Sequence, residues 1–212
     1  MEVIDLTLPI FSGCPTFPGQ PPVTLFPWHD ISVHGNRTHA LFMVDHTGTH
    51  VDVPAHFLEE GKTVEMLDFK KFMGTAITID VSSFVSRGTL ELSEFDALLG
   101  KEGQIEDVIV LLYTGIDTWF GEERYFEQQF GVSEEMAHFL VARKIKGIGI
   151  DAPSIDTNPF MTHRIFLAHE IPIFEGLTNL KTLLGKKVNF FGVPLKLTGC
   201  SGSPVRAFAL MD

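Results

Sequence analysis

The run His46-Thr-Gly-Thr-His50-Val-Asp52-Val-Pro-Ala-His56 constrains this chain more than any other stretch. Three imidazoles and a carboxylate recur in it at gaps of four, two and four residues. A His-x-x-x-His pair can share one face of a helix. Here Gly48 and Pro54 break helices, while Thr47, Thr49, Val51 and Val53 favour extended chain. In a strand, His50 and Asp52 point the same way, about 7 Å apart. His46 and His56 share that parity, yet a straight strand would hold them roughly 33 Å apart, too far for one site. The chain must therefore bend, at Gly48 and Pro54, and fold both outer histidines toward a short central strand. Burying such a group without a cation would be costly, so the spacing points to metal.

The remaining sequence has the means to build a scaffold around that strand. Its 212 residues are 44% hydrophobic and 20% charged, as expected for a globular protein with one domain spanning 1–212. A net charge of −11 argues against a nucleic-acid surface or attraction to anionic lipid. No apolar run approaches about 18 residues, so no membrane span is expected. Cys14 and Cys200 are too few for a disulfide framework, and Met-Glu-Val-Ile-Asp does not read as a secretory leader. The expected location is the cytoplasm.

Residues 3–10 alternate as a strand, with Ile4, Leu6, Leu8 and Ile10 on one side. A loop rich in proline follows, carrying Phe17 between Pro15 and Pro18. Strands are expected at 23–26, 40–44 and 75–81, and the apolar run 108–113 suits a strand covered on both faces. Ser93 opens a capping-box-like helix ending at Gly100, and Ser133 caps another leading to Gly147. Further elements are a strand at 148–150, a helix over 162–169, a strand at 171–174, a short helix at 179–184 and closing strands near 188–197 and 205–211. The pattern is mixed α/β.

The metal run resembles the signature of the cyclase-type metal-dependent hydrolases, a family that includes bacterial kynurenine formamidase and isatin hydrolase. The resemblance extends through Gly61-Lys-Thr-Val-Glu, Gly147-Ile-Gly-Ile-Asp151-Ala-Pro-Ser154-Ile-Asp156, His163, Phe174-Glu175-Gly176-Leu177 and Ser203-Pro-Val-Arg206-Ala. It implies a barrel-like mixed β core of swivelling β/β/α type with outer helices, assembled as a homodimer or homotetramer. It also implies two divalent ions, Zn²⁺ before Mn²⁺. His46 and His50 would hold the first, His163 the second, and Asp52 and Glu175 would bridge. The implied activity is hydrolysis of a C–N amide bond in a small-molecule substrate by attack of metal-bound hydroxide. The implied context is tryptophan catabolism, with an aryl formamide as substrate. His56, taken as a histidine near its ordinary pKa of about 6.5, would be the general acid/base.

Two other enzymatic readings accompany this one: opening of a cyclic amide such as isatin, and hydrolysis of another small carbonyl compound. A non-catalytic metal-binding protein is the third, and His56 argues against it, because five other side chains already complete the sites. Phe17 stands where kynurenine formamidase has tryptophan, so it keeps an aromatic face for substrate but lacks the indole donor. Phe11, Trp28 and Phe57 are candidates for the same pocket or for the core.

His169 competes with His163, but helical spacing sets the two about 240° apart. His29, His34, His39 and His138 carry no ligand pattern. Gly199-Cys-Ser-Gly-Ser203 lacks the final glycine of a nucleophile elbow. Cys200 reads as a packed cysteine. Asp151, Ser154 and Asp156 are either partners that orient ligands or a simple turn.

Overall fold

The computed structural model describes residues 1–100, 104–128 and 130–211. Thirteen strands appear among them: β1 (Glu2–Asp5), β2 (Thr24–His29), β3 (Thr38–Phe42), β4 (His50–Asp52), β5 (Met73–Asp80), β6 (Thr89–Leu90), β7 (Ile109–Tyr113), β8 (Gly131–Val132), β9 (Gly147–Ile150), β10 (Ile173–Glu175), β11 (Lys187–Phe191), β12 (Gly202–Pro204) and β13 (Phe208–Met211). Five α-helices join them: α1 (Ile31–His34), α2 (Leu92–Leu99), α3 (Arg124–Glu127), α4 (Glu134–Ala142) and α5 (Met161–Ala168).

Nine strands form one sheet, curled into a half-barrel, in the order β1-β13-β11-β5-β7-β9-β10-β4-β12. The strands β5, β7, β9 and β10 run parallel at its centre. Their apolar sequences are buried on both faces, as parallel strands joined by helical crossovers must be. Antiparallel strands complete both edges, and β4 lies between β10 and β12. The curl leaves two edges, so the barrel-like core expected from sequence is half closed.

The period-2 alternation of a strand separates two cores across this sheet. Val51 and Phe174 belong to the cluster with Leu6, Phe72 and Phe190 on one side. Ile173 belongs to the other, with Phe166 from α5 and Leu140 from α4. Asp52 faces Ile173 across the ladder and His50 faces Glu175, so these polar side chains emerge on the α5 side.

Several sequence expectations are corrected. The first strand ends at Asp5, and the Thr7 N–H turns back to Asp5 Oδ1 at 3.2 Å, although Leu6 and Leu8 remain buried as the alternation required. The α2 cap is Glu91, not Ser93: Glu91 has extended backbone angles and exchanges the reciprocal bonds with Glu94. The closing segment near 188–197 stops at Phe191, and β12 is a strand the sequence did not announce. Phe11 and Trp28 are exposed and belong to neither pocket nor core. Strands β2 and β3 form a separate hairpin outside the nine-strand sheet.

Candidate metal centre

Gly48 makes the first bend at φ +64°, a left-handed conformation that favours glycine. Pro54 begins the second, a 3₁₀ turn over Pro54–His56. Between the bends, β4 holds His50 and Asp52 in register with β10 and β12. Thr49 anchors the opposite face: its hydroxyl donates to the Gly176 carbonyl and accepts from the Leu8 N–H at 2.8 Å. Glu175 arrives at the end of β10, and His163 projects from α5, the crossover that leads into that strand. All four of His50, Asp52, His163 and Glu175 are at least 94% buried, while His46 is partly buried.

Asp52 is the hub. His46 Nδ1 lies 2.7 Å and His50 Nε2 3.3 Å from its Oδ1, and His163 Nε2 is 3.4 Å from Oδ2. Glu175 lies 3.1 Å from His163 Nε2 and 3.6 Å from His50 Nε2. The ligating atoms form two groups of three, His46–His50–Asp52 and Asp52–His163–Glu175, within 4.8 Å of one another in each. Asp52 belongs to both.

The partners behind the ligands fix which nitrogens are available. His50 Nδ1 donates to the Gly48 carbonyl at 2.9 Å, and His163 Nδ1 donates to Asp156 Oδ1 at 2.5 Å. In a neutral imidazole each Nε2 then carries a lone pair, and both point at carboxylate oxygens that can only accept. The buried Asp52 Oδ2 has no hydrogen-bond partner. A cation, or protons in its place, resolves this confrontation of acceptors, and mixed imidazole and carboxylate donors suit a divalent metal.

The electrostatics carry the same message. Burial opposes charge on Asp52, yet contact with His163, His46 and His50 pulls its carboxyl well below the ordinary range. Burial likewise opposes charge on His50, but Asp52 and Glu175 raise it to about 9. His163 is raised well above the usual imidazole value, against its burial, by Glu175, Asp156 and Asp52.

His56 differs from these. Its ring stacks on His46 at 3.9 Å and meets Phe57 edge-on at 4.5 Å. Neither ring nitrogen has a hydrogen-bond partner among the described residues. Burial, reinforced by the neighbouring histidines, pushes it down to about 4, so the ordinary value expected from sequence is corrected.

A cavity of about 240 Å³ opens onto His46, His50, His56, His163 and Glu175. Phe17, Phe57, Phe120, Tyr125, Phe126 and Phe160 line it as well. Phe17 meets Phe126 edge-on at 6.0 Å. Phe57 thus belongs to the wall.

The alternatives left open by the sequence separate here. Asp156 orients His163 and, through Oδ2, accepts from the N–H groups of Thr162 (2.7 Å) and His163 (3.2 Å). Asp151 instead binds Thr114 and Gly115, tying the ends of β7 and β9 together. Ser154 lines the cavity, and Cys200 packs beside the apolar cluster. His169 bonds back to the Ile165 carbonyl and borders a different cleft.

Sequence reading missed Ser201, whose Oγ lies 2.9 Å from His46 Nε2 and whose N–H donates to Asp45. It also missed Gly202, where an added Cβ would fall 2.5 Å from His46 Cε1. No local pattern marks either residue, because they lie 155 and 156 positions downstream of His46, just before and at the start of β12.

Comparison with known proteins adds to this geometry. Residues 4–157 match the family described as putative cyclase. A kynurenine formamidase of Bacillus cereus is 33% identical over 97% of this chain and 96% of its own. A solved structure described as a potential metal-dependent hydrolase with cyclase activity superposes with a TM-score of 0.78. The two are 27% identical, over 98% of this chain and 96% of the other. Isatin hydrolase A from Ralstonia solanacearum shares the fold at a TM-score of 0.90 and 24% identity, covering 100% of this chain and 92% of that one.

Proposed function

The chain belongs to the putative cyclase family, and we propose that within it the protein is a metal-dependent amidohydrolase acting on an aryl formamide. One observation carries this reading: a buried carboxylate oxygen of Asp52 without a hydrogen-bond partner, at the junction of two ligand groups. His46, His50 and Asp52 would hold one divalent ion, and Asp52, His163 and Glu175 would hold the second, with Zn²⁺ preferred over Mn²⁺. Such ions, when bound, acidify water and polarise a carbonyl. Asp156 keeps the His163 Nε2 lone pair directed at its site. His56, neutral at physiological pH and free at both nitrogens, takes the proton from the attacking water and delivers it to the leaving nitrogen. Phe17 and the other aromatic side chains of the cavity hold the aryl ring and exclude water.

We read the molecule as a single catalytic domain working as a homodimer or homotetramer in the cytoplasm. The β2–β3 hairpin supports the assembly, since Phe26, Trp28, Ile31, Val33, Leu41 and Phe42 are all exposed there. Kynurenine formamidase relatives support tryptophan catabolism as the setting.

The test is to strip the chain, reload it with Zn²⁺ or Mn²⁺ separately, and assay N-formylkynurenine beside isatin. Turnover of the first with a metal present is the expected result, and turnover of isatin alone would move the assignment to cyclic amides. His56→Ala should retain metal and lose about 10² to 10⁴-fold in kcat. Asp52→Ala should lose metal as well, and equal metal loss in both variants would refute the division of roles.

A further inference from the structure

Four loops meet at the leading ends of the parallel strands β5, β7, β9 and β10, opposite the end at which Glu175 closes β10. They enclose a cleft of about 320 Å³. Lys71 enters it from the 3₁₀ turn Phe69–Phe72 before β5, and Lys144 and Lys146 enter from the turn between α4 and β9. Asp107, from the loop before β7, is the carboxylate among the described residues that line it. Val141, Ile145 and Ile171 supply an apolar floor. Three ammonium groups gather here in a chain whose net charge is −11.

The lysines are not equally satisfied. Lys144 pairs with Glu106 at 3.3 Å and Lys146 with Asp107 at 3.2 Å, and both carboxylate side chains are mostly exposed. Lys71 is partly buried and has no carboxylate within ion-pair distance among the described residues. Glu170 gives its carboxylate to Lys62 at 2.6 Å and offers Lys71 only its backbone carbonyl, at 2.5 Å. An ammonium has three donors, so this bond leaves two unused. Burial, with Lys62 adding to it, pushes the Lys71 amine below the ordinary lysine value, although Glu170 and Asp68 favour its charge.

The backbone holds these groups in place at a cost. Asp107 (φ +58°), Lys144 (φ +55°) and Glu170 (φ +54°) are three of the five left-handed non-glycine residues among the described ones. The Asp107 N–H donates to the Lys144 carbonyl at 3.0 Å, and Glu170 presents the carbonyl that orients Lys71. Such backbone persists where the surrounding structure over-determines it, and it gathers at ligand sites.

An anion seated in the cleft supplies what the protein does not, a counter-charge for Lys71. One unpaired ammonium beside Asp107 calls for a single negative charge, and a dianion such as phosphate would press its second charge on that carboxylate. The floor calls for an apolar body on the same molecule. We propose that this cleft is a second ligand site, separate from the metal centre, for a small carboxylate with an apolar body. The site draws on none of the residues of the amidohydrolase reading.

The test is calorimetric titration of the metal-loaded full chain with benzoate, beside acetate, benzyl alcohol and inorganic phosphate. Benzoate should bind about 10-fold more tightly than acetate, which lacks the body, and than benzyl alcohol, which lacks the charge. Lys71→Met keeps the stem, removes the charge and should weaken benzoate about 10- to 100-fold. Lys146→Met should weaken it too, and decides alone if circular dichroism shows Lys71→Met unfolded. Absent binding overturns the proposal, as does an affinity unchanged in the variants, which would seat benzoate elsewhere, as at the metal ions. Phosphate or acetate held as tightly as benzoate refutes the ligand class. Benzoate should also raise the melting temperature of the parent more than that of Lys71→Met; equal shifts would leave the lysine a structural role only.

Discussion

Exchanging Asp156 for asparagine alters one atom of the side chain and should reset the chemistry of one metal site. Asp156 uses Oδ1 to accept from His163 Nδ1 and Oδ2 to accept from the first N–H groups of α5. Asparagine has one oxygen and one amide group, so it cannot accept on both sides. Holding the helix start requires the oxygen there, because the residue in the N-cap position, Phe160, offers no side-chain cap. The amide N–H₂ must then face His163 Nδ1, turning that nitrogen into an acceptor and moving the imidazole hydrogen to Nε2. Nε2 is the atom 3.4 Å from Asp52 and 3.1 Å from Glu175, and with a hydrogen on it there is no lone pair for a cation.

Loss of such an orienting partner typically costs 10–100-fold in metal affinity. That corresponds to about 1.4–2.7 kcal/mol. The assay is a competition titration against a chromophoric chelator at fixed pH, with circular dichroism to verify the fold. Asp156→Asn should weaken the site built on His163 by that factor and leave the site built on His46 and His50 within a few-fold of the parent. Asp156→Ala should in addition destabilise the fold by about 2–4 kcal/mol, because it strips a helix cap and leaves a buried imidazole unpaired. Unaltered affinity at both sites in the asparagine variant, or equal weakening at both, would refute this reasoning.

Other consequences follow from the same geometry. Gly202→Ala places a Cβ 2.5 Å from His46 Cε1 and 2.8 Å from the Val51 carbonyl, so it should cost about 1–3 kcal/mol in a denaturant titration and displace His46. In metal-free protein, burial lowers His50, but Asp52 and Glu175 outweigh it and bring it to about 9. That value lies above the unfolded one of about 6.5, so the stability His50 contributes is full below that pH and is lost as pH rises through about 9. Metal must displace the same protons, so its affinity should rise across this window while metal-free stability falls. Denaturation of chelated protein on both sides of the window checks the sign, and rising metal-free stability would contradict it. Trp28→Glu puts a charge into the exposed apolar hairpin and should turn the proposed homodimer or homotetramer into smaller species by sedimentation; an assembly indifferent to the change would place the interface elsewhere.

Much of the site was legible before any coordinates, because local chemistry dictated it. The β-branched residues between Gly48 and Pro54 demanded extended chain, the glycine and proline demanded bends, and strand parity put His50 and Asp52 on one face. The central strands followed from uninterrupted apolar runs. Helix starts are less secure: the capping pattern at Ser93 lies two residues beyond the observed cap, since Glu91 and Glu94 close the same reciprocal bonds.

What spacing could not supply was anything joined across the sheet. Three-residue β12 has no periodicity to read, and only its pairing with β4 brings Ser201 and Gly202 against His46. The role of Asp156 against that of Asp151 depends on which neighbour each carboxylate meets, and five residues of separation in sequence say nothing about that. The run marks His56 as a candidate proton carrier, but its depressed basicity comes from burial beside His46, which exists only in the folded chain. Sequence thus determined the residues capable of the chemistry and the bends of the segment that bears them. Tertiary structure decided their tautomers, partners and charges, because those depend on distances between groups that the chain itself leaves far apart.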